Sequence, residues 1–446
     1  MKKIVLILSL VLLLALSSVS AFAQTTDEIV VAIDSVKVEF TEESGVPFVD
    51  ANYRTLVPFR KALETYGATV EWNNDTRVAT AVKGDIKVEV PIDQNYIVVN
   101  GEQKSNDTAA KIVNGRTYLP IRAVIEAFGS DVEWDQSVKT VVITTEPVDA
   151  KAIFTQANNK SFDWKNYEAD VLVNMSTPIK DDAGSVSMMD MEMKMYMTLF
   201  MEPSLKAKID VSVLASMMGQ AIEQPIMDMY MTATDTALIQ YIGINDGKGN
   251  NTWMKMTTES EMFAELLKYD AESIKANQQM TEKYIKDVKY FGKYPDKSGN
   301  TLLKLQYTLS GEIYKDMLGQ YMDDMAASTD EQEKITADVL KGFADGSFGD
   351  LSFIVYVDEK TGEMVKYEMD LGNIISSMMS GMTDIFKDMP QDELDMLKQM
   401  KATMTMEVLN VNKAKSFDIP KEALDAPEIT EMMPQPEETA PAPAAQ

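Results

Sequence analysis

A single repeated offset constrains this chain more than any other feature. Arg54-Thr55-Leu56-Val57-Pro58-Phe59-Arg60 recurs as Arg116-Thr117-Tyr118-Leu119-Pro120-Ile121-Arg122, Gly67 recurs as Gly129, and Val70-Glu71-Trp72 recurs as Val132-Glu133-Trp134, always 62 residues apart. One offset held across so many identities means that a structural unit has been duplicated. In each copy proline biases its predecessor away from the helical region, so the residues before Pro58 and Pro120 are extended. A short helix follows, over Phe59 to Tyr66 and Ile121 to Phe128, and Gly67 and Gly129 stand where a helix ends in a left-handed turn. Each Val-Glu-Trp opens a strand, continued by 77–82 and 139–144. Alternation predicts further strands at 29–33, 36–40 and 86–90, and Asn100-Gly101 marks a tight turn. The unit is a small α+β domain built from two β-rich repeats.

The paired R-T-x-[VL]-P-x-R, Gly and V-x-W pattern resembles the copper amine oxidase-like N-terminal domain, or stalk domain, of exported proteins of Gram-positive bacteria, over about 29–145. The resemblance implies a non-catalytic envelope module, an appendage to varied partner domains. Copper amine oxidase activity needs three histidines and a quinone-forming tyrosine in a separate catalytic domain, and this chain has no histidine. Arg54, Arg60, Arg116 and Arg122 admit two readings. They could contact anionic wall polymer or glycan, or they could clamp carboxylates and carbonyls within the domain, with the tryptophans packed in its core. Repetition preserves a fold more readily than it preserves one binding site, which favours the clamp.

Lys2 and Lys3 precede an apolar run, Ile4 to Leu16, interrupted only by Ser9, and small residues then lead to Ala21-Phe22-Ala23. This pattern predicts a signal peptide over 1–23, cleaved after Ala23. The run is shorter than the roughly 20 residues a spanning helix needs. The mature chain is therefore expected to be secreted and associated with the cell envelope, without a transmembrane anchor. Cysteine is absent, so neither disulfides nor lipid attachment through a cysteine contributes, and stability must come from core burial. The absence of histidine removes the commonest acid–base group and the usual zinc and copper ligands, so no enzyme, cofactor or metal is expected. A formal net charge of −28 repels nucleic-acid phosphate, so no nucleic-acid partner is expected either.

From Pro147 to about Phe162 the chain reads as a linker merging into a first element, and from 154 to 424 its texture changes. Met189, Met191, Met193, Met195 and Met197 occupy every second position, as do Met227, Met229 and Met231, with Met254 and Met256 further on. Period two is a strand with one apolar face. Further strands are predicted at 205–213, 237–244, 253–256, 301–309, 351–358, 363–371 and 403–411, with Thr361-Gly362 as a hairpin turn. Three stretches have helical spacing, 261–288, 314–343 and 374–400. The fold class expected for the whole is α+β: the repeat domain, then a large antiparallel sheet, half-barrel-like, with covering helices on one face. The tail, 426–446, is rich in Pro, Ala and Glu and is expected to be disordered.

The successive M-x-M strands, Tyr241 with Asn251-Thr252-Trp253, and the closing Phe417-Asp418-Ile419-Pro420-Lys421-Glu422-Ala423-Leu424 resemble the lipoprotein-carrier (LolA-like) superfamily. The resemblance implies a half-open barrel whose concave apolar face holds acyl chains under a helical lid. Strand cores ordinarily favour β-branched residues, whereas methionine recurs on surfaces that accommodate ligands of varied shape. Met189, Met191, Met193, Met195, Met197, Met227, Met229, Met231, Met254 and Met256 are thus the candidate ligand-binding residues for a lipid or acylated molecule. The same face could instead be an ordinary packed core, leaving a structural or interaction module that meets a wall polymer or envelope protein. Thioether binding of Cu(I) lacks any stronger Cys or His ligand. The acidic pairs Asp181-Asp182 and Asp323-Asp324 lack EF-hand spacing and read as solvated loops.

Overall fold

Val57 pairs with Leu119, its own counterpart in the other repeat, and this register organises the first domain. The computed structural model describes residues 28–180, 185–202, 204–217, 220–259, 271–313, 350–372 and 399–429. In the repeat domain β4 (Thr55–Pro58) and β11 (Arg116–Pro120) run antiparallel, with Leu56 opposite Pro120 and Pro58 opposite Tyr118. The two copies are therefore related by a local pseudo-twofold axis through Val57 and Leu119. Both of these residues are fully buried, as are the equivalent helix residues Leu63 and Ile125.

Each copy continues identically. Helix α1 (Phe59–Thr65) and helix α2 (Ile121–Ala127) follow the two prolines. Both end at glycines with φ of 89° and 86°, where a side chain would be strained. A hairpin then forms from β5 (Thr69–Asn73) and β6 (Val78–Lys83), matched by β12 (Asp131–Asp135) and β13 (Thr140–Thr144). Trp72 faces Ala79 in one hairpin and Trp134 faces Val141 in the other. The copies differ in their neighbours. Strand β13 is extended in parallel by β1 (Val30–Ile33), followed by β2 (Val36–Lys37). Strand β6 instead leads antiparallel to β7 (Ile86–Pro91), β8 (Tyr96–Val99) and β9 (Glu102–Ser105). Short strands β3 (Phe48–Val49) and β10 (Lys111–Val113) flank the central pair.

Beyond this domain lies one antiparallel sheet of eleven strands, curled into a half-barrel. In chain order they are β14 (Asn166–Lys180), β15 (Val186–Phe200), β16 (Lys206–Met217), β17 (Gln220–Ala233), β18 (Ala237–Asn245), β19 (Asn251–Glu259), β20 (Ile285–Pro295), β21 (Thr301–Leu309), β22 (Leu351–Asp358), β23 (Met364–Asp370) and β24 (Lys401–Leu409). Consecutive strands pair antiparallel within β14–β19 and within β20–β24, β19 and β20 form opposite edges, and β24 closes the gap between β14 and β23. The order across the sheet runs from β19 through β14, β24 and β23 to β20. The bulges at Val211/Ser212 and within β20 bend the strands locally.

The α+β expectation is overturned. Strands make up 54% of the described residues and helices 15%, so the chain is mostly β, and a sheet with covering helices is not its description. The physical reason lies in the strands, whose regular alternation runs further than the clearest apolar residues suggest. Thus β15 extends over 15 residues, and 285–288, assigned to a helix by spacing, is the start of β20. Of the three helical stretches, α4 (Ala271–Tyr284) falls within 261–288, while 314–343 and 374–398 lie outside the described residues, as does the signal sequence. The segment read as a linker contains α3 (Ala150–Ser161), capped by Asp149, whose carboxylate accepts the Ala152 N–H at 2.9 Å. Phe154 of α3 packs on Tyr307 at 4.4 Å between ring centroids, and Tyr307 stacks on Phe353.

Two further elements occupy the opposite face. At the β20 end the repeat domain docks: Ser35 Oγ accepts the Lys293 N–H at 2.7 Å, and Glu133 pairs with Lys289 at 2.8 Å. At the β19 end the C-terminal segment lays Phe417, Ile419 and Ala423 against Tyr230, Tyr241 and Trp253, through the short helix α5 (Lys421–Leu424). The chain then runs beside β19, with Lys255 donating to Pro427 O and Ile429 donating to Lys255 O. The tail therefore begins, from Ala426 to Ile429, as a strap along the sheet edge.

Candidate functional site

All ten candidate methionines project from the same face of the large sheet. Pairing places Met197 opposite Ile209, Ile209 opposite Met229, Met229 opposite Ile242 and Ile242 opposite Met254, one row across five strands. The next row runs Leu199, Ala207, Met231, Gln240 and Met256, and the row on the other side carries Met195, Val211, Met227 and Ile244. Met193 lies opposite Val173 and Val213, Met191 opposite Met175, and Met189 opposite Thr177. The period-two spacing thus produces a contiguous sulfur-rich surface, because side chains two apart share a face and antiparallel partners stand side by side.

Burial along this surface is graded. Met195, Met197, Met229 and Met231 are buried, Met231 completely, whereas Met191, Met193, Met227, Met254 and Met256 are partly exposed. Met189 is 46% exposed at the far end of its strand. The apolar face therefore opens progressively from the Phe200 end of β15 towards its start. Four more methionines join it: Met404 and Met406 on β24, Met369 on β23 and Met175 on β14. The M-x-M spacing of Met404 and Met406 would have identified two of them.

Gln240 interrupts the apolar rows. It is 2% exposed and stands between Met231 and Met256. Its amide is a polar feature in the middle of a thioether surface. Sequence reasoning passed over it because one polar residue in an alternating strand carries no signal of burial.

The reverse face of the same strands is held by polar contacts. Glu168 accepts hydrogen bonds from the side chain of Asn410 and from the Lys415 N–H, and these hold its carboxyl below the usual carboxylate range. Its neighbour Tyr196 is pushed up to about 12, by burial first and then by its bond to Glu168. These contacts fix β14, β15 and the chain leaving β24 in one register, which in turn fixes the methionine rows in front.

In the repeat domain the arginines act as clamps. Arg60 Nη1 donates to Val70 O and Glu64, and Arg122 Nη1 donates to Val132 O and Glu126. Arg54 Nε meets Asp107 at 2.6 Å, and Arg116 reaches the carbonyls of Glu42 and Glu43. Of the acidic pairs, Asp181-Asp182 and Asp323-Asp324 lie outside the described residues. Among the described residues no group of three Asp or Glu side chains is arranged to hold a metal ion, and no helix is long and apolar enough to cross a membrane.

Residues 32–143 match the family model described as copper amine oxidase N-terminal domain, which bears out the resemblance carried by the 62-residue repeat. The match is to the N-terminal domain of such enzymes and not to their catalytic domain. A curated relative named "Protease inhibitor", from Brevibacillus choshinensis, is 25% identical over 169 residues, 36% of this chain and 51% of the relative. The chain therefore spans about half the length of that protein. Among solved structures, a DUF1329 family protein from Desulfovibrio piger is 10% identical and covers 61% of this chain and 96% of its own, with a TM-score of 0.20.

Proposed function

We propose that this chain is an exported, non-enzymatic protein of a bacterial cell envelope that takes up a hydrophobic ligand, a lipid or acylated molecule, on the methionine face of its half-barrel. The observation that carries the reading is the convergence of three separate methionine stripes, Met189 to Met197, Met227 to Met231 and Met254 to Met256, on one surface that grades from buried to exposed. Thioethers are flexible and polarizable, so such a surface adapts to acyl chains of different length.

A second reading, an interaction module of the wall without a small ligand, is favoured by the burial of Met195, Met197, Met229 and Met231, as in a packed core. Native mass spectrometry of the secreted protein, followed by lipid extraction of the same sample, separates the two. A bound mass that disappears on extraction supports the carrier reading and identifies the cargo. A clean apo mass, unchanged on adding fatty-acyl compounds, sinks it in favour of the wall module.

A further inference from the structure

The duplicated domain contains two grooves that the ligand reading above does not use. The first, about 710 Å³, is lined by Arg60, Glu64, Trp72 and Asn74 of the first repeat together with Arg116 and Thr117 of the second. The second, about 1220 Å³, is lined by Arg122, Glu126, Trp134 and Gln136 of the second repeat together with Arg54 and Thr55 of the first. Each of these six residues in one groove is the 62-residue counterpart of one named in the other. The pseudo-twofold axis through Val57 and Leu119 brings this about, because it carries the Arg-Thr strand start of each copy to the helix and hairpin of the other.

We propose that these grooves are two equivalent binding sites for an oligosaccharide, a glycan of chair-form pyranose rings with equatorial hydroxyls. Trp72 and Trp134 pack against the domain core and remain only partly covered, which leaves aromatic surface in each groove. The apolar C–H face of a sugar ring stacks on such a surface. Beside each tryptophan stand the guanidinium of Arg60 or Arg122, the carboxylate of Glu64 or Glu126 and the amide of Asn74 or Gln136, whose remaining donors and acceptors can bond sugar hydroxyls. Arginine suits this task better than lysine because its donors form a rigid fork. The five arginines of the chain are Arg54, Arg60, Arg77, Arg116 and Arg122, and four of them line these grooves.

The clamping bonds take up Arg116, whose Nε, Nη1 and Nη2 donate to the carbonyls of Glu43, Asn114 and Glu42, and Arg54 Nε meets Asp107, so the donors left to the grooves are chiefly those of Arg60 and Arg122. Among the described residues, Arg60 and Arg122 use only Nη1 within the domain, and their side chains are 58% and 52% exposed. These bonds fix each guanidinium in position, and such preorganisation lowers the cost of binding. Each groove pairs its arginines with a carboxylate, Glu64 or Glu126, so the charges are mixed. This favours a hydroxyl-rich ligand over a polyanion.

The test is calorimetric titration of the full mature chain with a hexamer of β-1,4-linked N-acetylglucosamine and, separately, a hexamer of β-1,4-linked glucose. Two sites per chain are expected for at least one of them. Trp72→Leu should remove one site, Trp134→Leu the other, and the double substitution both. Fewer than two sites in the native chain overturns the proposal, as do two sites surviving in the double variant. If the tryptophan variants lose their cooperative melt, the exposed rim substitutions Asn74→Ala and Gln136→Ala carry the test. Each should weaken binding several-fold at its own site, and unchanged affinity in both overturns the inference. Because the methionine face is remote in sequence from these residues, acyl-ligand binding serves as the control that none of the substitutions should alter.

Discussion

Lys304 Nζ lies 2.5 Å from Asp135 Oδ2, and both side chains are buried at the junction of the large sheet with the repeat domain. Ser137 Oγ accepts a second bond from Lys304 at 2.8 Å and itself donates to Asp135. The rings of Phe291, Tyr294 and Tyr356 surround the ammonium at 5.7 to 5.9 Å, within cation–π range. Removing one partner of such a pair leaves an unpaired buried charge, at a cost of about 3–5 kcal/mol. Lys304→Met and Asp135→Leu should each lower the free energy of unfolding, measured by urea denaturation, by that amount. The double change Lys304→Met with Asp135→Leu should lose less than either alone. Additive losses in the double-mutant cycle would show that the pair is not coupled.

Acid should destabilise the fold through specific carboxylates. Asp50 is held below its usual range by the Arg54 N–H, at 3.0 Å, and by Thr108 Oγ1 and the Asn52 N–H. Glu168 is held down by Asn410 and Lys415. A carboxylate whose folded pKa is depressed stabilises fully above its unfolded value, about 4, and that contribution fades as pH falls through the folded value. Melting temperature should therefore be flat from pH 7 to 5 and fall below about pH 4. Asp50→Asn should lower the plateau and flatten the acid slope, which thermal melts across pH 3 to 7 would reveal.

Much of this architecture was legible in the chain because it depends on period. The constant 62-residue offset implied two like units, and the register Val57 with Leu119 is the direct expression of it. The period-two methionines placed Met189 to Met197 on one strand face, and pairing then aligned that face with Met227 to Met231 and Met254 to Met256. What alternation could not tell was depth. Met189 and Met231 read alike in sequence, yet one is 46% exposed and the other fully buried. Burial depends on what lies across the face, as does the depth of Gln240. Lys304 was equally hidden: a lysine in an alternating strand reads as solvent-facing until a second domain is placed over it. The α3 segment read as a linker because its apolar residues are few, although Asp149 was a usable cap signal.

Gly243 is required by its cross-strand neighbour. A Cβ at this position would meet the Trp253 ring at 2.8 Å, directly opposite in register. Trp253 in turn lies 5.8 Å from Tyr230, on the surface that receives Phe417 of the C-terminal segment. Gly243→Val should displace the indole and destabilise by about 1–3 kcal/mol, the usual cost of overpacking. The accompanying readout is a red shift of tryptophan emission as the ring moves towards solvent. An unchanged spectrum and midpoint would count against this contact.

The strap after α5 protects an edge. Strand β19 is the outer strand of the sheet, and Pro427 O, the Ile429 N–H and the Glu428 carboxylate occupy part of its free backbone and the Thr257 side chain. An uncovered strand edge is a template for pairing with another chain. Truncation after Asp425 should therefore produce concentration-dependent self-association in sedimentation velocity, while the full chain at the same concentration stays unchanged. A truncated chain that sediments identically would show that the strap is dispensable.

Oxidation with dilute hydrogen peroxide should read the depth of the methionine face directly. Sulfoxide formation follows exposure, and it converts an apolar side chain into a polar one. Met188 and Met189, 47% and 46% exposed, should oxidise first, whereas Met195, Met197, Met229 and Met231 should persist until the fold opens. Peptide mapping by mass spectrometry resolves these groups. The partly exposed Met191, Met193, Met227, Met254 and Met256 are the informative set, because an acyl ligand seated on the face would cover them and leave Met188 bare. Addition of a bound fatty-acyl compound should slow their oxidation several-fold with little change at Met188. Uniform slowing at every methionine would indicate global stabilisation, and equal rates with and without ligand would place the ligand elsewhere on the molecule.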